Sequence, residues 1–218
     1  SIDEWQLFDR RGKKQQDFSP YMEMYDDHVI VGKKKISTHP KVKYISYHDI
    51  PEQLGDMDAL YINELPDDLD HLKQMIQLAQ PKNIHVCYSV DHSLYMRAFP
   101  KREEFVWLYS LVRKQQMIDL NKHLEAIQKM KDWSKDHILF MSEVFSELGF
   151  VKIDNGVMTA NPNPEKRDLQ ESSTYQERLK KIEIEKTLYF SNYEQLKDWF
   201  QQFMDYLKTP EEAAAYGL

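Results

Sequence analysis

At 218 residues, with 41% hydrophobic and 30% charged side chains, the chain has an ordinary globular balance and room for one large or two small domains. Its 13 Tyr, 10 Phe and 4 Trp can fill a sizeable core, while only 6 Gly exclude a turn-rich all-β fold. The single cysteine, Cys87, excludes an internal disulfide framework, and a net charge of −7 argues against a simple DNA-coating role.

The first hundred residues alternate strand and helix signals. Short β-rich runs occur at residues 5–9 (WQLFD), 28–31 (HVIV), 42–46 (VKYIS), 59–63 (ALYIN) and 84–89 (IHVCYS). Between the last two, Leu69, Leu72, Met75, Ile76 and Ala79 recur at helical spacing, and Pro81 stops that helix. Strand, helix, strand in this order implies a βαβ unit and a parallel sheet. Residues 1–98 therefore read as a small Rossmann-like α/β subdomain. No Gly-x-Gly-x-x-Gly follows any strand, so the sequence gives no support for a dinucleotide cofactor.

After Pro100 the pattern turns helical, and residues 99–218 read as a helical, winged-helix-like subdomain with extra C-terminal helices. Residues 101–116 place Phe105, Leu108, Tyr109 and Val112 on one face, and 120–131 bring Leu124 and Ile127 inward. Ser134 can cap a helix ending before Gly149, and Asn155-Gly156 is a strong two-residue hairpin turn. Three helices followed by a hairpin outline a winged-helix domain, a relative of the helix-turn-helix. Ser173 with Gln176, and Ser191 with Glu194, fit capping boxes for two more helices. Those helices would turn Tyr189, Tyr193, Leu196, Trp199, Phe200, Phe203 and Leu207 inward.

The residues that could carry chemistry do not converge. His85 and Cys87 share one strand face, which suits packing better than a zinc site lacking a second pair of ligands. Asp26-Asp27-His28, His48-Asp49 and Asp91-His92 are scattered polar groups at strand ends, not a two-metal cluster. Gly32-Lys33 lacks the upstream glycine and the Ser/Thr of a phosphate-binding loop. No catalytic residue and no metal ligand is assigned.

Charge offers a softer signal. Residues 10–48 hold nine Lys/Arg against four acids, and residues 49–98 hold three against nine. The candidate strip for nucleic acid or a partner is Arg10, Arg11, Lys13, Lys14, Lys33, Lys34 and Lys35, with Phe8, Phe18 and Tyr21 near enough to stack bases. Residues 149–187 balance seven basic against seven acidic side chains, a poor footprint for phosphate.

Several stretches resemble the extra C-terminal region of bacterial RecJ exonucleases. They are residues 99–109 (FPKREEFVWLY), 133–141 (WSKDHILFM), 147–156 (ELGFVKIDNG), 166–175 (KRDLQESSTY) and 193–200 (YEQLKDWF), with 60–66 (LYINELP) upstream. The resemblance implies a parent enzyme that degrades single-stranded DNA from 5′ to 3′ in recombination and repair. It implies a divalent metal, Mn or Mg, held in an N-terminal core with an Asp-His-His motif. That motif is absent here, so the chain is expected to be non-catalytic and to need no cofactor of its own. The start, Ser-Ile-Asp-Glu-Trp, reads as a cut inside a longer protein, and one cysteine fits a reducing cytoplasm.

The leading expectation is thus an accessory module of a single-stranded-DNA exonuclease, working with the exonuclease core in cis. It would hold single-stranded DNA or dock a protein, either the single-stranded-DNA-binding protein or a helicase. A structural cap without DNA contact, and an independent nucleotide-dependent enzyme, are the alternatives.

Overall fold

The structure, a computed structural model, describes residues 5–13, 23–34 and 43–204, together with residues 214 and 217. The chain divides into two compact units, residues 1–93 with 183–218, and residues 94–182.

The first unit is built on a five-stranded sheet, all parallel: β1 (Gln6–Asp9), β2 (His28–Gly32), β3 (Lys43–Ser46), β4 (Ala59–Ile62) and β5 (Asn83–Val86), in the order β1-β5-β4-β2-β3. The α/β reading with a parallel sheet therefore holds. Parallel strands are covered on both faces, which is why β2 and β4 are continuous apolar runs with every residue buried. On one face Leu7, Val29, Val31, Leu60, Ile62, Ile84 and Val86 form the main core. Helix α1 (Leu69–Ala79) crosses between β4 and β5 and adds Leu72, Met75 and Ile76, all fully buried. Each such side chain contributes about 1.5–3 kcal/mol of burial. Asp68 caps α1 through Asp70 N–H, and Gln80, in a left-handed conformation before Pro81, ends it.

The second unit begins with α2 (Arg102–Gln115), β6 (Met117–Asp119), α3 (Leu120–Lys131) and α4 (Lys135–Glu147). The hairpin β7 (Val151–Asp154) and β8 (Val157–Ala160) follows, and the three short strands pair antiparallel in the order β6-β8-β7. This helix, strand, helix, helix, hairpin outline is compatible with a winged helix. Asn155 and Gly156 both take positive φ, 50° and 79°, as a two-residue hairpin turn requires. A Cβ on Gly156 would lie 2.5 Å from Asn121 Nδ2, which donates to Asn155 O. Strand β6 has no counterpart in the sequence reading, because three residues with one buried member, Ile118, carry no period.

Helix α5 (Ser173–Leu188) runs across the division, and α6 (Tyr193–Gln201) follows it. The sequence reading put residues 183–218 with the helical subdomain. The structure groups them with the α/β sheet, where Ile184, Leu188, Leu196 and Phe200 join its main core. Trp5 Nε1 donates to Gln201 Oε1 at 2.7 Å, and Tyr88 Oη donates to Leu188 O at 2.7 Å. Both capping boxes shift by a residue. Ser172 Oγ accepts from Tyr175 N, leaving Ser173 Oγ to donate to Glu147. Asn192 with Gln195 caps α6, while Ser191 Oγ donates to Thr187 O. Tyr193 is 40% exposed rather than inward, and Leu207 lies outside the described residues.

Candidate functional site

The sequence strip is dismantled by the fold. The Arg11 guanidinium holds Asp9 through Nε at 2.9 Å and Nη2 at 2.8 Å, and its Nη1 donates to Leu188 O, Tyr189 O and Ser191 Oγ at 3.0–3.2 Å. The hydrogen bonds from Arg11 keep the Asp9 carboxyl below its ordinary range. Arg11 thus ties the end of β1 to the C-terminal helices. Lys33 pairs with Asp67 at 2.7 Å. Arg10 and Lys13 follow β1 on either side of Arg11 and the Gly12 turn. Lys14, Lys35, Phe18 and Tyr21 lie outside the described residues.

The C-terminal ends of β2 and β4 flank the point where strand order reverses, the usual ligand crevice of an open α/β sheet. Here a side chain occupies it. Glu64 Oε1 accepts from Lys33 N at 3.1 Å and Lys34 N at 3.3 Å, and a Cβ on Gly32 would be 2.9 Å from that oxygen. The Tyr44 hydroxyl donates to Lys34 O beside it. The amides that would meet an anion already hold a carboxylate.

On the second sheet face Phe8 stacks on His85 at 4.5 Å, and His85 on Tyr61 at 4.6 Å. Burial, then the nearby Arg10 charge, brings the His85 pKa down to about 4, and burial pushes the Cys87 thiol up to about 12. At neutral pH both are uncharged packing groups, as their shared strand face implied. His28 Nδ1 meets Tyr25 O, and Asp27 N donates to Asp58, so the 26–28 acids and imidazole brace a strand end. Among the described residues, no group of three His, Cys, Asp or Glu is arranged to hold a metal ion.

In the second unit α4 is the helix a winged helix would lay in a groove. Its own chain covers it. Arg178 of α5 grips Asp136 at 2.8 and 3.2 Å and lies 4.0 Å from the Phe140 ring centroid. Thr174 and Ser173 donate to Glu147, and the Thr174 hydroxyl is the main reason the Glu147 carboxyl falls to about 2. Lys135 and Glu143 remain exposed on α4, a pairing of opposite charges unsuited to phosphate.

A better site lies beside α2. A pocket of about 410 Å³ is lined by Phe105, Val106, Tyr109, Phe145 and Phe150, with Arg102, Lys166, Arg167 and Asp168 among its polar residues. Tyr109 stacks on Phe150 at 5.3 Å, and Phe105 and Phe145 are buried beneath them. A larger groove of about 780 Å³ uses the other side of α2. Trp107 and Trp133 meet there edge to face at 5.4 Å, with Lys131 4.6 Å from the Trp107 centroid. Its lining carries Glu103, Glu104, Asp132 and Asp136 against Arg97, Lys101 and Lys131. His137 contacts Glu104 at 3.1 Å, and hydrogen bonds from Lys101 N and His137 outweigh desolvation to keep that carboxyl low. This groove is acidic and internally paired.

The pocket was not visible in the sequence. Its cations come from residues 102 and 166–167, and counts over contiguous windows diluted them with acids that fold elsewhere. By structural unit the balance is clearer: residues 94–182 hold fifteen Lys/Arg and thirteen Asp/Glu, and the rest of the chain fourteen and twenty-three.

Fold and site define a two-unit α/β module with a parallel sheet in one unit and a basic-rimmed aromatic pocket in the other. The chain belongs to the family of single-strand DNA-specific exonuclease C-terminal domains, whose model matches residues 6–200. It is 34% identical over 214 residues to the single-stranded-DNA-specific exonuclease RecJ of Bacillus subtilis (strain 168), covering 94% of this chain and 27% of that relative. The chain thus spans about a quarter of that relative's length. No solved structure matches it. Among the described residues, no helix is long and apolar enough to cross a membrane.

Proposed function

We propose that the chain is the accessory module of a RecJ-type exonuclease and that its work is to hold single-stranded DNA for a catalytic core elsewhere in the parent protein. In this reading the parent degrades single-stranded DNA in recombination and repair in the cytoplasm. Its Mn or Mg ions sit in that core, and the module contributes no catalytic residue. The observation that supports it best is the charge partition between units. The helical unit carries an excess of cations, while the α/β unit carries nine more acids than bases. Phosphate binding follows local potential rather than net charge, so the helical unit is the face for DNA.

The test is fluorescence anisotropy of a labelled single-stranded oligonucleotide titrated with the 218-residue chain, at low and near-physiological salt. Saturable binding that weakens steeply with salt supports the reading. No binding at low salt overturns it and leaves two alternatives. Capture of single-stranded-DNA-binding protein or a helicase would mark a docking module. A fall in the parent's melting temperature on deletion, with DNA affinity unchanged, would mark a structural cap.

A further inference from the structure

We propose that the pocket beside α2 seats one nucleotide of single-stranded DNA, its base against Val106, Tyr109 and Phe150 and its phosphate held by Arg102, Lys166 and Arg167. This rests on the reading of the chain as a strand-holding module and gives that activity an address.

The floor is preformed. Phe105 and Phe145 are 2% and 1% exposed and back the Tyr109–Phe150 stack, so these rings are fixed before any ligand arrives. Val106 is 54% exposed, a large apolar side chain left in water on this face of α2. A base covering it stacks on aromatic faces and removes apolar surface from water at once. A base still paired inside a duplex presents only its edge, so the floor selects unstacked, single-stranded substrate. Stacking is tolerant of base identity, and the seat therefore has little sequence preference.

The rim supplies the charge. Arg102 occupies the first turn of α2, where the positive end of the helix dipole adds to its own charge. Among the described residues neither Arg102 nor Lys166 has a carboxylate within ion-pairing distance, and Arg167 touches Glu171 at 3.6 Å on an open surface. The one lining acid, Asp168, is engaged in the short 3-10 turn Leu169–Glu171, accepting from Gln170 N. Three cations against one carboxylate match a phosphodiester. The volume of about 410 Å³ falls within the roughly 300–1,000 Å³ of small-molecule sites. The groove across α2 shows the contrast: its two indoles are richer in area, but its cation lies over them and its acids outnumber its bases.

The test uses two single-stranded oligonucleotides, one fluorescein-labelled for affinity and one carrying 2-aminopurine, whose emission falls when it stacks. The variants are Arg102→Glu with Lys166→Glu, and separately Val106→Asp. All three positions are solvent-exposed, and circular dichroism melts equal to the parent chain confirm folding. The paired charge reversal should weaken binding at least about tenfold and lower the slope of log Kd against log salt by about 1.4, roughly 0.7 per lost phosphate contact. Val106→Asp should abolish the 2-aminopurine quench. If the chain binds DNA and every variant binds equally well, the seat is wrong and the strand-holding reading survives. Absence of DNA binding by the parent chain overturns both. A glutamate-rich peptide ending in Phe that binds when DNA does not, and is lost in the charge reversal, overturns the seat in favour of a protein ligand.

Discussion

In the α/β unit the guanidinium of Arg11 makes five hydrogen bonds inward, and its side chain is only 10% exposed. In the helical unit Arg102 sits at the start of α2 with its charge at the surface, on the edge of an aromatic pocket. Arg11 lies in the most basic stretch of the sequence, with Arg10, Lys13 and Lys14, while Arg102 is followed at once by Glu103 and Glu104. The run of like charge marked a structural tie, and the mixed segment marked the better candidate surface. A cation's availability depends on how many acceptors the fold places around it, and sequence neighbours do not determine that.

The largest expected effect tests this directly. Arg11→Ala should cost about 3 kcal/mol in urea unfolding, because it leaves the Asp9 carboxylate and two chain carbonyls without their donor in a partly buried place. Arg102→Ala should stay within about 0.5 kcal/mol. A loss below about 1 kcal/mol for Arg11→Ala would break the comparison, since Arg11 would then be as dispensable as a surface charge.

Next in size is the hairpin. Gly156→Ala should cost about 2 kcal/mol, combining a left-handed backbone position with the approach of Asn121 Nδ2. Below its lowered melting temperature the variant should bind DNA as the parent chain does, because the hairpin turn does not line the pocket. Lost affinity in a fully folded sample would move the DNA face toward the hairpin.

The two units should also differ in acid. His85 in the α/β unit stays neutral in the fold down to about pH 4, while the unfolded chain takes up a proton near pH 6.5. Unfolding therefore binds a proton across that window. The stability linked to His85 is full above about pH 6.5 and is lost as pH falls toward about 4. Asp9 and Asp136 have lowered carboxyl pKa values, so their contributions are present above the ordinary Asp range and are lost at lower pH, as the carboxyls protonate in the fold. Melting temperature measured from pH 7.5 to 3 should fall in two stages, and His85→Phe should flatten the first. An unchanged first stage in that variant would assign it to another group.

The sequence carried the sheet and not the site, and the reason is range. Strands β2 and β4 are runs whose burial is written in every residue, and α1 has its cap, period and proline stop within fourteen positions. Asn155-Gly156 announces its own turn. Arg11 lies 177 residues from Leu188, and the pocket gathers residues 102–109, 145–150 and 166–169. Strand β6 and the transfer of residues 183–204 to the α/β unit were lost for the same reason. Ile118, Ile184 and Leu188 show only that they are apolar, not which core receives them.

The smallest effect decides most about the first basic strip. Lys33 pairs with Asp67 at 2.7 Å, but the two side chains are 37% and 49% exposed, so the pair is worth about 0–1 kcal/mol and is screened by salt. Lys33→Ala with Lys34→Ala should leave the melting temperature within a degree or two. Backbone N–H groups of both residues, not their side chains, hold Glu64, so that contact survives the substitution. DNA affinity should change less than about twofold, since the acid-rich unit around these lysines gives phosphate little reason to settle there. A tenfold loss would reverse the comparison, returning the DNA face to the α/β unit and making Asp67 a competitor for phosphate. Asp67→Asn would then tighten binding, and an unchanged affinity in that variant would leave the loss to Lys34 alone.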